Sequence, residues 1–180
     1  MSALTGAAKV RALQAEILGE FEARFEDSRD IQIDSIAELE ADPPCFHQWE
    51  EIFPELAVLY DNIDVIAEEA AVVGQAPWIP WPEEDIQTGN VAWTVFPFLH
   101  TFPTLDEAKS TWLGSTGSMC PKTAALLKKV PNIRTALFSK LGPGTTLNVH
   151  TGWEDLANYV LRCHVCLDIP RPACSTAECR

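Results

Sequence analysis

Two histidines and one arginine near the end of the chain are the side chains best suited to chemistry. His150 precedes Arg162 and His164 within the stretch FSKLGPGTTLNVHTGWEDLANYVLRCHVCLDI, residues 138–169. On strand period, Arg162 and His164 share one face of an otherwise apolar run. A guanidinium and an imidazole side by side on such a face are costly unless they bind something. The pattern indicates a binding site, and a strand with one satisfied core histidine and an edge arginine explains it equally well.

The elements that must position these residues are three strands and a turn. Gly142-Pro143-Gly144 predicts the turn, because proline presets φ and glycine tolerates positive φ. The segment 133–141 predicts the strand before the turn, and the alternation over 145–150 predicts the strand after it. A third strand is predicted over 159–169, a largely apolar run of strand length.

Helices are predicted before this β-prone region. Residues 4–25 form an amphipathic pattern that we interpret as an N-terminal support helix, followed by a short helix from Ser35. The region 49–75 predicts further helix, with Asp61 or Asn62 as a possible N-cap and Gly74 at its end. A helix should also begin at Pro121, since proline is favoured in the first turn.

A rigid aromatic stretch and a β-prone run lie in the middle of the chain. Trp78 and Trp81, separated by prolines, suggest a wall over a core or a cleft. The run 90–99 predicts a strand with Trp93 on one face, and Pro97 should make it an edge strand or end it. A core tryptophan is a sufficient explanation of Trp93.

Four cysteines near the end of the chain imitate the ligand spacing of a structural zinc site. They are Cys163, Cys166, Cys174 and Cys179. Within a strand, however, the first two would point to opposite faces, and zinc pairs usually sit on a tight knuckle. We therefore favour buried free thiols over zinc, and over a disulfide framework.

Several motifs together resemble the aspartyl/asparaginyl β-hydroxylase family. They are Phe53-Pro54-Glu55-Leu56, Pro121-Lys122-Thr123, His150-Thr151-Gly152, Leu161-Arg162-Cys163-His164 and Asp168-Ile169-Pro170. The resemblance implies a mainly β domain with flanking helices (α+β), folded as a double-stranded β-helix or jelly roll. We assign this domain to residues 49–180 and a helical extension to residues 1–48.

The resemblance also implies a set of site residues. His150 would be the first ligand of Fe(II), with Gly152 where related oxygenases carry a carboxylate ligand, as is known in this family. Glu154 and Asp155, further along the loop, are interpreted as solvated. The residues implied to bind the cosubstrate 2-oxoglutarate are Trp93, Ser139, Arg162, Cys163 and His164.

The function implied is that of an Fe(II)/2-oxoglutarate-dependent dioxygenase that hydroxylates the β-carbon of an Asp or Asn residue. The substrate would be a peptide or a small molecule with an Asp/Asn-like group. The family's second iron histidine and a further arginine lie beyond the Ile-Pro that follows this strand, so the C-terminal strands are expected to be missing here. The alternatives are an inactive 2-oxoacid-binding or interaction module and a zinc-bound interaction domain.

Composition and charge bound the partners. The 180 residues indicate one domain with a real core, and the net charge of −13 disfavours nucleic acid. No apolar run reaches the ~20 residues of a membrane-spanning helix, and the N-terminus does not resemble a secretory signal. We therefore expect a soluble, intracellular chain. His47 and His100 have no neighbours at ligand spacing and are interpreted as structural or exposed.

Overall fold

The structure is a computed structural model that describes residues 15, 48–76, 78–81, 87–88, 93–101, 106–148 and 160–169. The predicted helices over 4–25 and from Ser35 lie outside these residues, except for Ala15, which is helical and exposed. None of the helices in the described ranges is long and apolar enough to span a membrane.

Short helices precede the sheet and return between its strands. They are α1 (Trp49–Ile52), α2 (Ala57–Tyr60), α3 (Ile63–Val72), α4 (Gly114–Met119) and α5 (Pro121–Leu127), with 3-10 turns at Pro54–Leu56, Val73–Gln75 and Glu107–Lys109.

The region 49–75 is helical in pieces, as predicted. Asn62 occupies the N-cap position of α3 without a capping side-chain bond. Its Nδ2 instead donates to the carbonyl of Val58 at 2.9 Å. Gly74 lies in the 3-10 turn that ends the helix. Pro121 takes the first turn of α5, which confirms that prediction.

The strands form two antiparallel sheets. They are β1 (Ile79–Pro80), β2 (Gln87–Thr88), β3 (Thr94–Thr101), β4 (Ser110–Trp112), β5 (Ala136–Lys140) and β6 (Thr146–Leu147). In the larger sheet β3 pairs with β5, and also with β1 and β4. In the smaller sheet β2 pairs with β6. The jelly roll stays a prediction.

The expectation that Pro97 marks an edge or an end of its strand was wrong. Pro97 lies inside β3, the strand with the most partners among those described, opposite Leu137 of β5. The register of this pairing shifts between Pro97 and Leu99. The residue that this register skips is Phe98, so a bulge lies next to Pro97. Bulges are among the places where a sheet accepts a residue that lacks a backbone N–H.

Helices and sheet enclose a main cluster of buried side chains. Its aromatic centre is formed by Phe96, Phe98 and Phe138, with Phe98 and Phe138 edge to face at 4.9 Å between ring centroids. Trp78 packs against this cluster, and the ammonium of Lys140 lies 4.6 Å from the centroid of its ring. Such aromatic pairs add stability beyond the area that they bury.

The turn predicted at 142–144 is confirmed. The amide of Thr145 donates to the carbonyl of Gly142 at 3.1 Å, and Gly144 has a φ of 72°. This positive φ is a conformation that glycine adopts without steric cost. The strand before the turn is β5, within the predicted 133–141, and the strand after it is β6, where 145–150 was predicted.

The third predicted strand, over 159–169, was wrong for the residues that the structure describes. Residues 160–169 contain no strand. A β-strand is stabilised by its ladder of hydrogen bonds, and no strand among the described residues pairs with this run. Its apolar sequence and β propensity are therefore not sufficient to make it a strand.

Candidate functional site

The pairing of β3 with β5 brings two of the predicted cosubstrate residues together. Val95 of β3 lies opposite Ser139 of β5 in the register of the two strands. The indole Nε1–H of Trp93, just before β3, donates a 2.8 Å hydrogen bond to Ser139 Oγ. The two residues are 46 positions apart in sequence, so the sheet is what creates this contact.

A second indole stacks on the first. Trp81 follows β1 and its ring lies 4.7 Å from that of Trp93, with 24° between the planes. The backbone N–H of Trp81 donates to the carbonyl of Trp93, which extends the β1–β3 ladder by one bond. Both rings pack against a second cluster of buried residues, formed by Ile79, Val95 and Leu113. The second cluster thus holds the tryptophan pair in place.

This geometry determines what the Ser139 hydroxyl can do. A hydroxyl has one hydrogen to donate and lone pairs that accept. Because Ser139 Oγ accepts from the Trp93 indole, its own hydrogen is left for a further acceptor. Ser139 is exposed, so a ligand can reach it. The Trp93–Ser139 pair is therefore suited to donate to a carboxylate.

Arg162, Cys163 and His164 are placed by the structure in an exposed, irregular stretch. Although Cys163 is exposed as a residue, its surroundings desolvate the thiol and raise its pKa. The expectation of buried thiols was wrong for Cys163 and Cys166, which are free and exposed. Because these residues form no strand, the argument that Cys163 and Cys166 point to opposite faces of a strand does not apply.

The metal prediction rests on residues that the structure does not describe. His150, Gly152, Glu154 and Asp155 lie outside the described residues, as do His47, Cys174 and Cys179. Among the described residues, no group of three or more His, Cys, Asp or Glu side chains could hold a metal ion. Neither the iron site nor the four-cysteine zinc site is therefore tested.

His100 is structural, in agreement with one of its two interpretations. It lies in β3, opposite Thr111 of β4, and is 1% exposed. Burial lowers the pKa of the His100 imidazole to about 4, because the interior disfavours its charged form. His100 is consequently neutral at physiological pH.

Sequence reasoning missed Glu69, which joins two helices. Its carboxylate, on α3, accepts hydrogen bonds from the backbone N–H groups of Lys122 at 3.0 Å and Thr123 at 2.7 Å. Burial alone would raise the pKa of Glu69, but the hydrogen bonds from Thr123 and Lys122 outweigh it, and the pKa is lowered. The unsatisfied N–H groups after Pro121 were the available signal, but the sequence does not show which acidic residue meets them.

Cys120 lies beside this contact. It is fully buried, and its Sγ donates a weak hydrogen bond to the backbone carbonyl of Glu69 at 3.9 Å. Burial, together with the nearby Glu69 carboxylate, raises the pKa of the Cys120 thiol to about 12. Such a thiol stays protonated and unreactive, so Cys120 is a packing residue.

Comparison with known proteins places the chain in a family. Residues 60–179 match the family described as aspartyl/asparaginyl beta-hydroxylase. This match covers most of the chain, and the chain belongs to that family. The description of the family is that of a hydroxylase.

A similar curated protein is the ornithine lipid ester-linked acyl 2-hydroxylase of Rhizobium tropici. The two chains are 43% identical over 53 residues, which is 29% of this chain and 18% of that protein. The chain thus matches less than a fifth of the length of this relative. No solved structure matches the chain significantly.

Proposed function

We propose that the chain is an Fe(II)- and 2-oxoglutarate-dependent hydroxylase that acts on the β-carbon of an Asp or Asn side chain. Membership of the family supports hydroxylation. The Trp93–Ser139 hydrogen bond supports the use of a carboxylate cosubstrate, since it leaves a fixed donor at the end of the sheet. This contact is the observation that carries the proposal.

The described residues fit the cosubstrate better than they fit the metal. Ser139 offers a hydroxyl donor, and Arg162 offers an exposed guanidinium that matches a carboxylate in geometry and charge. For iron, His150 would be the ligand, and it lies outside the described residues. Iron and 2-oxoglutarate would supply the oxidising chemistry, with dioxygen as the source of the oxygen atom.

The residues of this chain would bind and orient the oxoacid. Trp93 donates to Ser139 Oγ, and this bond would orient the serine hydroxyl toward the ligand. Trp81 stacks on one face of the Trp93 ring and would hold that ring in place. Arg162 and His164 would be brought to the same ligand from the exposed stretch after residue 160, with Cys163 between them.

A second candidate substrate is an ester-linked acyl chain, favoured by the similarity to the acyl 2-hydroxylase. The two substrates share one chemical feature. The β-carbon of Asp is adjacent to the side-chain carbonyl, and the 2-position of an acyl chain is adjacent to the acyl carbonyl. Both reactions therefore oxidise a methylene next to a carbonyl carbon, and one arrangement of groups can serve either.

The cosubstrate part is tested by titrating 2-oxoglutarate into the full chain under anaerobic conditions with Fe(II). The visible iron-to-oxoacid charge-transfer band reports binding. We expect Ser139→Ala to weaken 2-oxoglutarate binding about tenfold or more, because a hydrogen bond to a charged group contributes about 1.5–3 kcal/mol. Trp93→Phe should weaken it less, since Phe keeps the stack on Trp81 but cannot orient Ser139.

The matched control is Ser118→Ala. Ser118 is also exposed, but its hydroxyl donates to the carbonyl of Ser115 within α4. His150→Ala should abolish the band. Equal 2-oxoglutarate binding by the Ser139→Ala and Ser118→Ala variants would contradict the role of Ser139. A charge-transfer band that survives in His150→Ala would contradict the assignment of His150 as an iron ligand.

The substrates are separated by product analysis. The chain is incubated with Asp- or Asn-containing peptides, or with an ester-linked acyl lipid, together with Fe(II), 2-oxoglutarate and air. The expected product is the peptide that has gained one oxygen atom, in step with succinate. Hydroxylation of the lipid alone would mean that the substrate is an ester-linked acyl chain and not an Asp or Asn side chain. If the chain binds iron and 2-oxoglutarate but forms neither product, the inactive binding module is favoured.

A further inference from the structure

Segment 160–169 (VLRCHVCLDI) is exposed although it is rich in apolar residues. Leu161 and Ile169 are each 65% exposed, and Val160 and Val165 are more than a third exposed. Leu167 alone in this segment packs against the main cluster. The segment pairs with no strand among the described residues. Valine, leucine and isoleucine on such a backbone are features of a strand that a partner strand would stabilise.

The sequence of this segment is complementary to itself. If two copies pair antiparallel about a two-fold axis at Val165, Arg162 of one copy faces Asp168 of the other. The same register places Leu161 opposite Ile169 of the second copy. Each contact occurs twice, because an interface with two-fold symmetry is the same seen from either copy.

The two faces of the resulting ribbon differ in polarity. One face carries Leu161, Cys163, Val165, Leu167 and Ile169, all apolar or weakly polar. The other face carries both ion pairs and His164 opposite Cys166 of the second copy. Opposite charges and apolar side chains directly across an antiparallel pair are each stabilising, whereas like charges are destabilising.

Other arrangements lose this match. An in-register parallel pair would place Arg162 beside Arg162 of the second copy and Asp168 beside Asp168. An antiparallel pair shifted by two residues would place Arg162 opposite an uncharged residue. With a net charge of −13 on each copy, association is opposed at long range, so local complementarity must select the register.

We propose that segment 160–169 is an interaction surface for a second copy of this chain, paired antiparallel about Val165. If the proposed function is also correct, Arg162 serves both the second copy and the oxoacid. The dimer is then a form in which the cosubstrate competes with Asp168 of the second copy for the same guanidinium.

The first test is the molar mass of the full chain by sedimentation equilibrium, over a range of concentrations in about 0.15 M salt. We expect a monomer–dimer equilibrium for the native chain. Asp168→Arg should raise the dissociation constant about tenfold or more, since two ion pairs become two repulsions. The double variant Arg162→Asp/Asp168→Arg should restore the dimer, because the charges are exchanged but remain complementary.

The matched control is Asp64→Arg, which makes the same charge change at an exposed position of α3. It should dimerise at least as well as the native chain. Far-ultraviolet circular dichroism checks that every variant is folded. The proposal would be overturned by a native chain that is monomeric at every concentration. It would also be overturned by a double variant whose dimer dissociates as readily as that of Asp168→Arg.

Hydrogen exchange provides a second readout that needs no substitution. Amides of residues 160–169 should become protected as concentration rises through the dimerisation range, while those of β3 stay unchanged. Protection that is independent of concentration would mean pairing within one chain and would overturn the proposal.

Addition of 2-oxoglutarate then separates this inference from the proposed function. If Arg162 binds the oxoacid, the equilibrium should shift toward monomer. A dimer that ignores 2-oxoglutarate leaves the self-pairing intact and counts against Arg162 as a cosubstrate residue. A monomeric native chain that still binds 2-oxoglutarate would overturn the self-pairing and leave the proposed function intact.

Discussion

The hydroxyl of Ser139 accepts a hydrogen bond from the Trp93 indole, and this contact decides what the serine can offer to a ligand. A serine on a free strand end rotates among several rotamers and bonds mostly to water. Here one lone pair is occupied, so the direction of the remaining hydrogen is restricted. An ordered donor loses less entropy on binding an anion than a free one does.

His100 leads to a prediction on acid stability. Its pKa is lowered to about 4 by burial, against an ordinary value of 6.5. The unfolded chain therefore takes up a proton at a higher pH than the folded chain, and stability falls as the pH is lowered from about 6.5 toward 4. The expected slope is up to about 1.4 kcal/mol per pH unit, measured as the free energy of unfolding in urea.

The variant His100→Gln tests the origin of this slope, because glutamine is polar but does not titrate. It should lose the slope between about pH 6.5 and 5, whereas His164→Gln, at an exposed histidine, should keep it. The same slope in both variants would assign the acid sensitivity to other groups.

At the scale of single residues, the sequence indicates which residues belong to the site better than it indicates which of them are in contact. The resemblance named Trp93 and Ser139 as separate cosubstrate residues, and strand alternation placed Trp93 on one face of its strand. Their hydrogen bond depends on the β3–β5 register, which no local pattern encodes. Arg162, Cys163 and His164 were predicted on a strand but are exposed in an irregular stretch. The reason is that no strand among the described residues pairs with this segment.

At the scale of elements, the Glu69 contact connects α3 to the start of α5. The first N–H groups of a helix have no partner within the helix, and a carboxylate at that end satisfies them and interacts favourably with the helix dipole. Glu69 supplies this from another helix, in place of the N-cap side chain that Cys120 does not provide. The Pro-Lys-Thr motif thus has a structural role at this helix start.

The variant Glu69→Gln should lower the free energy of unfolding by about 1 kcal/mol, as is typical of a lost cap. Since the pKa of Glu69 is lowered in the folded state, its contribution is present above about pH 4.5 and is lost as the pH falls through the folded value. Urea unfolding at pH 7 and pH 3 measures both effects.

Glu68→Gln is the matched control, because Glu68 is the exposed neighbour on the same helix. Its effect should stay within about 0.5 kcal/mol. If the two variants are equally stable at pH 7, the carboxylate does not stabilise the start of α5.

Turns and helix starts were the elements that the sequence predicted best. Gly144 acts through the freedom of its backbone and Pro121 through the restriction of its φ, so the residue type is sufficient for each prediction. Pro97 and segment 160–169 were mispredicted because their state depends on neighbouring strands. A bulge admits Pro97 into β3, and the absence of a described partner leaves 160–169 outside the sheets.

At the scale of the whole molecule, β3 separates two groups of buried side chains. Phe96 and Phe98 face the main cluster with the helices, and Val95 faces the second cluster beneath the tryptophan pair. The helices and the proposed ligand site thus lie on opposite faces of one strand. The amphipathic helix patterns predicted that helices cover a core, but the division into two clusters needed the sheet topology.

The net charge of −13 predicts the response of stability to salt. Like charges on a compact molecule repel, and the Debye length falls from about 30 Å at 0.01 M salt to about 10 Å at 0.1 M. Raising sodium chloride over this range should therefore raise the melting temperature. A stabilisation of 1 kcal/mol corresponds to about 2–4 °C for a chain of this size.

Differential scanning calorimetry measures this shift. The double variant Glu50→Lys/Glu51→Lys, at exposed positions of α1, lowers the net negative charge and should respond less to salt. A melting temperature that falls with added salt would mean that attractive ion pairs outweigh the net repulsion.

The near-parallel stack of Trp81 and Trp93, 4.7 Å apart, has an optical consequence. Two indoles at this distance couple their electronic transitions, and the far-ultraviolet circular dichroism spectrum should contain an exciton couplet. Replacing either ring by Phe should remove it. Because one of these rings holds Ser139, the amplitude of the couplet provides a label-free signal for any ligand that moves the pair, with or without iron.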